Sequence, residues 1–283
     1  MKPAKSQAIL QQTKDIYNRI AGDFSNTRYQ NWGGFDDLAE YVEPGGRVLD
    51  LGCGNGRLAE IFTESKISYL GIDNSEELIR IAQEKFKDKP WAGFEVGDAL
   101  TYPSPPNQGG GRGGSGIKAE EFDLVLMVAV LHHLPTVALR LQALENARAA
   151  LKPGGRLIIS NWNLWQVKPS PTPPFVRGGK EFSPSIKRAS RGSLKIFRYW
   201  PYLWNYAEKI SRGAYGFSEA FVPWKNLSGD NLRYVHSFRR GELKGLLKRA
   251  GFAVESIGYI SQAGGRATIL SGDNLLAIAV KKC

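Results

Sequence analysis

The stretch Val48-Leu49-Asp50-Leu51-Gly52-Cys53-Gly54-Asn55-Gly56-Arg57-Leu58 sets one acid in a short apolar run and follows it with three glycines alternating with small side chains. Glycine is needed where backbone turns with positive φ or lies against a ligand with no Cβ in the way. The stretch therefore reads as a strand, a ligand-facing turn and the start of a helix. A glycine turn by itself fits several nucleotide classes, including those that seat a pyrophosphate. Asp50 shifts the balance, because a carboxylate there repels phosphate and suits a cationic ligand or its ammonium group. Asp73 follows 17 residues after Gly56 at the end of a second apolar run, placed to accept two hydrogen bonds from a ribose diol. The competing role, a helix N-cap, fits Asn74 or Ser75 better. Asp98, after a third run, can reach an adenine amino group or be an ordinary loop aspartate. His132 and His133 sit at the mouth of a fourth run, and His236 is the only other histidine. Each could be a general base, a hydrogen-bond donor or a residue that shapes the site. No metal-ligand spacing is present.

These residues need a scaffold that gathers strand ends. Ile9, Ile16 and Ile20, with Tyr17 nearby, predict a loose helix over about 7–21, and a helix over about 33–42 leads into a strand at 47–51. There follow a helix 57–65, a strand 67–73, a helix from Ser75 through Phe86 and a strand 91–96. Next come a fully buried strand 122–129, a helix 137–151 closed by Lys152-Pro153-Gly154-Gly155, and a strand 156–162. Such alternation with short links specifies a doubly wound, mostly parallel α/β sheet. An amphipathic helix 238–250 precedes strands 254–260 and 274–280. The link between those strands leaves no room for a crossover helix, so they are antiparallel. Two stretches break the rhythm. Residues 103–119 are a low-complexity Pro- and Gly-rich loop with no means of packing. Residues 163–232 form a basic, aromatic insertion or lid, and Ser170-Pro171-Thr172-Pro173-Pro174 within it echoes the first loop as inserted repeat-like DNA would. The expectation is one domain over 1–283, with 1–45 as an N-terminal helical cap.

Composition permits a sizeable core: 283 residues, 42% hydrophobic. No window of about 18 apolar residues occurs, and the opening Met1-Lys2-Pro3-Ala4-Lys5 lacks the apolar run of a signal peptide, so a cytoplasmic location is expected. Cys53 and Cys283 suit neither a disulfide framework nor a metal cluster and are read as structural thiols. The net charge is +11, and ten cations against two acids between Gln166 and Arg212 put +8 of it in one segment. Interleaved with Tyr199, Trp200, Tyr202, Trp204 and Tyr206, that segment could hold a polyanion with stacking surfaces, as a nucleic-acid binder does. A solvated insertion, or peripheral contact with an anionic membrane surface, are the other readings.

Asp50-Leu51-Gly52-Cys53-Gly54-Asn55-Gly56 resembles motif I of the class I S-adenosylmethionine-dependent methyltransferases. That resemblance implies a Rossmann-like, mostly parallel seven-stranded sheet with its last strand antiparallel, and S-adenosylmethionine as cofactor. Beyond motif I, Tyr17 through Trp32, with Thr27-Arg28-Tyr29, is similar to the N-terminal signature of the tRNA carboxymethyluridine methyltransferases, which esterify a wobble-uridine side chain. Leu131-His132-His133-Leu134, Asn161-Trp162, Val222-Pro223-Trp224 and Arg233-Tyr234-Val235-His236-Ser237-Phe238-Arg239 match in order, whereas Arg240 stands where that family has an acid. The resemblance implies a tRNA partner and, from eukaryotic relatives, a small activator subunit. Carried onto this chain, the cofactor contacts are Tyr17, Arg28, Asp50, Gly52, Cys53, Gly54, Asn55, Gly56, Asp73, Asn74, Asp98, Ala99, Met127 and His132.

Methyl transfer from a sulfonium is an in-line displacement that needs orientation and exclusion of water, not a catalytic triad. An amine or phenol acceptor needs a base, whereas a carboxylate is already ionised near neutral pH. A carboxylate acceptor wants cations, and Arg28, Arg239 and His236 could bind it; with His133 they form the expected catalytic set. Arg28 could equally hold the methionine carboxylate of the cofactor, and Trp162 and Trp224 could stack on a base or pack a core or lid. The alternative is a methyltransferase acting on a small molecule such as a quinol or phenol, which would share the cofactor residues and differ in the lid.

Overall fold

A computed structural model of the chain describes residues 1–27, 35–102, 119–165, 218–224 and 232–282. Its centre is an eight-stranded sheet. In chain order the elements are α1 (Pro3–Thr27), β1 (Arg47–Leu51), β2 (Ser68–Asp73), α2 (Glu76–Lys85), β3 (Ala92–Val96), β4 (Phe122–Val128), α3 (Val137–Ala150) and β5 (Leu151–Trp162). They continue with β6 (Glu219–Pro223), β7 (Leu232–His236), α4 (Arg240–Arg249), β8 (Phe252–Ile260), β9 (Arg266–Ala267) and β10 (Asn274–Lys281). The strand order is β3-β2-β1-β4-β5-β10-β8-β9, and β6 and β7 form a separate antiparallel hairpin. Strands β3 through β5 are parallel, while β10 runs antiparallel to both β5 and β8. The antiparallel pair expected for the last two main strands is therefore present. The count of seven is corrected to eight, because Arg266 and Ala267 in the connecting turn pair with Ile260 and Tyr259.

Apolar side chains cover both faces of this sheet, giving three layers. One core packs β1, β4, β5 and β10 under α3 and α4, with Leu144, Ala147, Leu243 and Leu247 fully buried. The other packs Phe62, Tyr69, Ile79, Ala82 and Phe94 beneath α2 and the turns that follow β1. Two expected α-helices are short 3₁₀ turns instead, Asp36–Tyr41 and Arg57–Phe62. The second turns tightly because it starts from Gly56 at φ +73, and Phe62 and Leu58 are pinned in the core after barely two turns. Strand β5 begins at Leu151, earlier than the expected Arg156, with a register shift against β4 that accommodates Gly154 at φ +77. Strand β6 lies inside the stretch read as an insertion and β7 begins at its last residue, and the hairpin they form is tied to the rest of the chain. His133 bonds the Tyr234 carbonyl, and Gln12 of α1 donates to the Leu232 carbonyl. Residues 103–118, most of 163–232, Arg28 and Cys283 lie outside the described residues, so the readings made on them do too. Among the described residues no helix is long and apolar enough to cross a membrane.

Candidate functional site

Strand β1 pairs with β2 on one side and β4 on the other, so the sheet reverses direction of winding between β1 and β4. In doubly wound sheets a ligand crevice opens outside the carboxyl ends of the strands at such a point. A cleft lies there, bounded by Gly52–Asn55 after β1, Asp73 and Asn74 after β2, Gly97–Ala99 after β3, and Val128–Val130 after β4. Trp162 ends β5 beneath it, His133 stands beside it, and α1 closes one side with Leu10, Thr13, Tyr17 and Phe24.

The glycine turn is shaped by close approach. Gly52 has φ +81, and a Cβ on it would fall 2.2 Å from a Val130 methyl, so only glycine lets β1 and the loop after β4 meet. Opposite, Ala129 also adopts a left-handed backbone, φ +60, which turns the chain out of β4 into the His132-His133 bend. Asp73 braces the turn from β2: Oδ2 accepts from the Gly54 amide at 2.9 Å and Oδ1 from the Ser75 amide at 2.8 Å. Burial pushes its carboxyl up, and the Ser75 and Gly54 amides pull against that. Each oxygen keeps a second lone pair for a hydroxyl in the cleft. Ser75 is the helix cap, its Oγ accepting from the Leu78 amide. Asp98 holds the β3 end by accepting from the Leu100 amide, and its side chain lines the cleft.

His133 is fixed through both nitrogens. Nδ1 lies 2.7 Å from the Tyr234 carbonyl, which makes Nδ1 the protonated atom, and Nε2 then accepts from the Tyr17 hydroxyl at 2.9 Å. Burial lowers its pKa to about 4, so the ring is neutral near pH 7. His132 stacks 4.9 Å from Trp162 and its pKa is pushed far down, first by burial and then by His133.

The geometry gathers ten of the sequence candidates on the cleft: Tyr17, Gly52, Cys53, Gly54, Asn55, Asp73, Asn74, Asp98, Ala99 and His133. Six others lie off it. Asp50 is fully buried under the turn, where Tyr69 donates to Oδ2 at 2.6 Å and burial raises its pKa to about 7, so the expected cation-facing carboxylate points into the protein instead. Gly56 faces Phe94, 2.7 Å from where its Cβ would sit, so this glycine serves packing. Met127 is inside β4 in the core, because alternate residues of a central strand cover the two apolar faces. His132 is sealed beneath Trp162, with Nε2 unpaired. His236 bonds Glu242 of α4 at 2.7 Å on the far side of the hairpin, and Arg239 is exposed with its guanidinium over Trp165 at 5.0 Å. Cleft residues missed in the sequence include Leu10, Thr13 and Arg57. Leu10, Thr13, Tyr17 and Phe24 fall on one helical stripe (i, i+3, i+7, i+14), hidden there by the stronger Ile9, Ile16, Ile20 stripe beside it.

This lining fits S-adenosylmethionine. Two carboxylates reach the cleft for hydroxyl and amine donors, backbone amides cluster at the glycine turn, and Leu78, Ala99 and Leu134 offer an apolar bed. Among the described residues Arg57 is the one cation in the lining. Comparison with known proteins agrees. A family model described as a methyltransferase domain matches residues 25–257. A fission-yeast (Schizosaccharomyces pombe) tRNA (carboxymethyluridine(34)-5-O)-methyltransferase is 26% identical over 86% of this chain and 90% of its own. The mouse protein of that activity, ALKBH8, is 29% identical over 62% of this chain, which spans only 22% of the mouse protein's length. Among solved structures, a Haloferax volcanii methyltransferase in complex with the Trm112 activator superposes with TM-score 0.58 at 15% identity, covering 96% of this chain and 98% of the other. With that crevice, that lining and a match over most of its length, the chain belongs to the methyltransferase domain family and uses S-adenosylmethionine as methyl donor.

Proposed function

We propose that the chain methylates a carboxylate oxygen of a modified wobble uridine in tRNA, as the names of its relatives indicate for them. The observation that carries this reading is the state of His133. It is the one imidazole lining the cleft among the described residues, both its nitrogens are engaged, and it is neutral near pH 7. Asp73 has both oxygens on backbone amides. A cleft so furnished offers no free imidazole to strip a proton from an amine or phenol, and a carboxylate acceptor requires no such step.

Bound S-adenosylmethionine supplies an electrophilic methyl on a sulfonium. Asp73 and Asp98 anchor hydroxyl and amino groups, Gly52–Asn55 give the ligand backbone contact, and Tyr17, Phe24 and Trp162 exclude water from the reacting end. With a carboxylate acceptor the bound group would give up its methyl carbon and keep the carbon–sulfur electron pair, so no residue of the chain would have to move a proton. The basic segment within 166–212 supports tRNA as partner by its charge, and a small activator subunit belongs to the same proposal.

The test is transfer of labelled methyl from S-adenosylmethionine to bulk tRNA pretreated with mild base, which hydrolyses existing esters. Base-labile label is expected in treated tRNA and little in untreated tRNA. Label that appears only in a small-molecule extract overturns the tRNA reading in favour of a metabolite acceptor.

A further inference from the structure

Two arginines near the cleft are almost fully buried, Arg140 at 3% and Arg233 at 4% exposure, and their surroundings differ. Arg140 is satisfied: Nε donates to the Leu134 carbonyl at 2.9 Å, one terminal nitrogen reaches the Tyr234 hydroxyl at 3.4 Å, and the other is 3.7 Å from the Glu242 carboxylate. Arg233, on β7, has one long hydrogen bond, 3.5 Å to the Tyr17 hydroxyl, and its buried Nε has no partner. No carboxylate among the described residues pairs with it. It sits instead among three rings, 4.9 Å from the Trp224 centroid, 5.0 Å from Trp162 and 5.9 Å from Tyr17.

Ring faces attract a guanidinium but accept none of its hydrogen bonds, and such contacts do not replace the water lost on burial. A guanidinium carries five N–H donors in a planar fork shaped for a carboxylate. Tyr17 and Trp162, two walls of the cage, are also walls of the methyl-transfer cleft. The Tyr17 hydroxyl joins Arg233 to His133, and the Arg233 charge is one reason that His133 stays neutral.

We propose that Arg233 is the specificity-determining cation that receives the acceptor's carboxylate, with the flanking tryptophans shielding the pair from water. This rests on the carboxylate-acceptor reading above. The assignment replaces Arg239 and His236 in that role, since both are engaged elsewhere, whereas Arg233 stands directly behind two lining side chains of the cleft, Tyr17 and Trp162. It also gives the pair a direction. The acid substrate pairs with Arg233, while the ester product carries no charge and is released more readily.

The experiment uses full-length protein with saturating S-adenosylhomocysteine and two synthetic anticodon stem–loops that differ only at the wobble base, 5-carboxymethyluridine against its neutral amide, 5-carbamoylmethyluridine. Wild type is expected to bind the acid at least about 10-fold more tightly than the amide, the scale of a buried charge-assisted pair. Arg233→Gln is expected to bind both equally, with the affinity for the amide and for S-adenosylhomocysteine unchanged. Arg233→Lys keeps the charge and is expected to retain preference for the acid with a weaker Kd. If Arg233→Gln prefers the acid as strongly as wild type, the Arg233 assignment is overturned while the functional reading stands. If both variants lose S-adenosylhomocysteine binding and fold stability together, the cage is a structural clasp and the assignment is likewise overturned. Wild type that transfers no label to the carboxymethyl stem–loop overturns the functional reading and the assignment together.

Discussion

At the scale of single residues, the cleft is held by buried groups whose charge states oppose one another. Asp50 titrates near 7 in the folded chain, above the carboxylate range of an unfolded one. Between about pH 4 and 7 the folded state therefore binds the extra proton, and this group adds stability as pH falls. His133 titrates near 4, below the ordinary histidine value, so between about 6.5 and 4 the unfolded state binds the extra proton and stability is lost as pH falls. His132, also depressed by burial, acts in the same sense as His133. At about 1.4 kcal/mol per unit, Asp50 and His133 each contribute roughly 2 kcal/mol of opposing pH dependence between pH 5 and 7. Urea unfolding of Asp50→Asn should thus show a steeper loss of stability on acidification than wild type, and His133→Gln a shallower one. Equal slopes in all three proteins would refute the assignment of these charge states. Asp73 is a different case, because it holds the glycine turn through Gly54 and the next helix through Ser75. Asp73→Ala is expected to weaken S-adenosylhomocysteine binding by at least about 10-fold in titration calorimetry and to lower Tm by a few degrees, each amide bond to a carboxylate being worth about 1.5–3 kcal/mol. Undiminished affinity would remove Asp73 from the site.

At the scale of elements, α1 walls one side of the cleft, and its attachment is specific. Ile16 and Ile20 pack with Trp224, the helix contacts α2 and β7, and Asn18 accepts from both the Ser75 hydroxyl at 2.7 Å and the Glu77 amide. Ser75 thus caps α2 and ties it to α1 with one hydroxyl. Ser75→Ala should cost about 1 kcal/mol, the usual worth of such a cap. In a double-mutant cycle with Asn18→Ala, the coupling energy should be at least about 0.5 kcal/mol, as for contacting pairs. Additive effects would mean that α1 is not anchored through this bond. The alternation of strands and helices was legible because apolar runs such as Leu124–Val128 and amphipathic stretches such as Glu76–Lys85 carry their own period. The hairpin β6–β7 was not. Its strands are five residues each, Arg233 and Tyr234 are polar or amphipathic yet buried, and partners that make this possible come from α1, β5 and the His132-His133 bend, all distant in sequence. The same reason explains the shortened turns after β1, where tertiary packing of Phe62 overrides a sequence able to continue as helix.

At the scale of the whole molecule, local types and spacings announced the cofactor side of the site and left the acceptor side obscure. Asp73, Asp98, Gly52 and Gly54 lie where their own strand ends put them, so position in the sequence placed them on the cleft, whereas Gly56 packs against Phe94. Arg233 is one member of a matching string in the sequence, and what distinguishes it appears only in space: three rings from three segments and no carboxylate among the described residues. Asp50 misled for the converse reason, its carboxylate turned inward to Tyr69. The charge of the molecule is legible without any structure. With a net +11, most of it between Gln166 and Arg212, a polyanionic partner would bind with release of counterions, whereas the zwitterion S-adenosylhomocysteine would not. Affinity for tRNA should therefore fall steeply with salt, while affinity for S-adenosylhomocysteine stays nearly flat. Lys187, Arg188, Arg191 and Lys195 form the densest part of that segment, outside the described residues. Changing all four to Gln should flatten the slope of log Kd for tRNA against log salt by up to about 3.5, each phosphate contact contributing about 0.9, with the labelled-methyl rate at saturating tRNA nearly unchanged. An unchanged slope would show that the basic segment does not touch the nucleic acid and would leave it as a solvated surface. A flattened slope together with lost cofactor affinity would instead point to a role in holding the cleft.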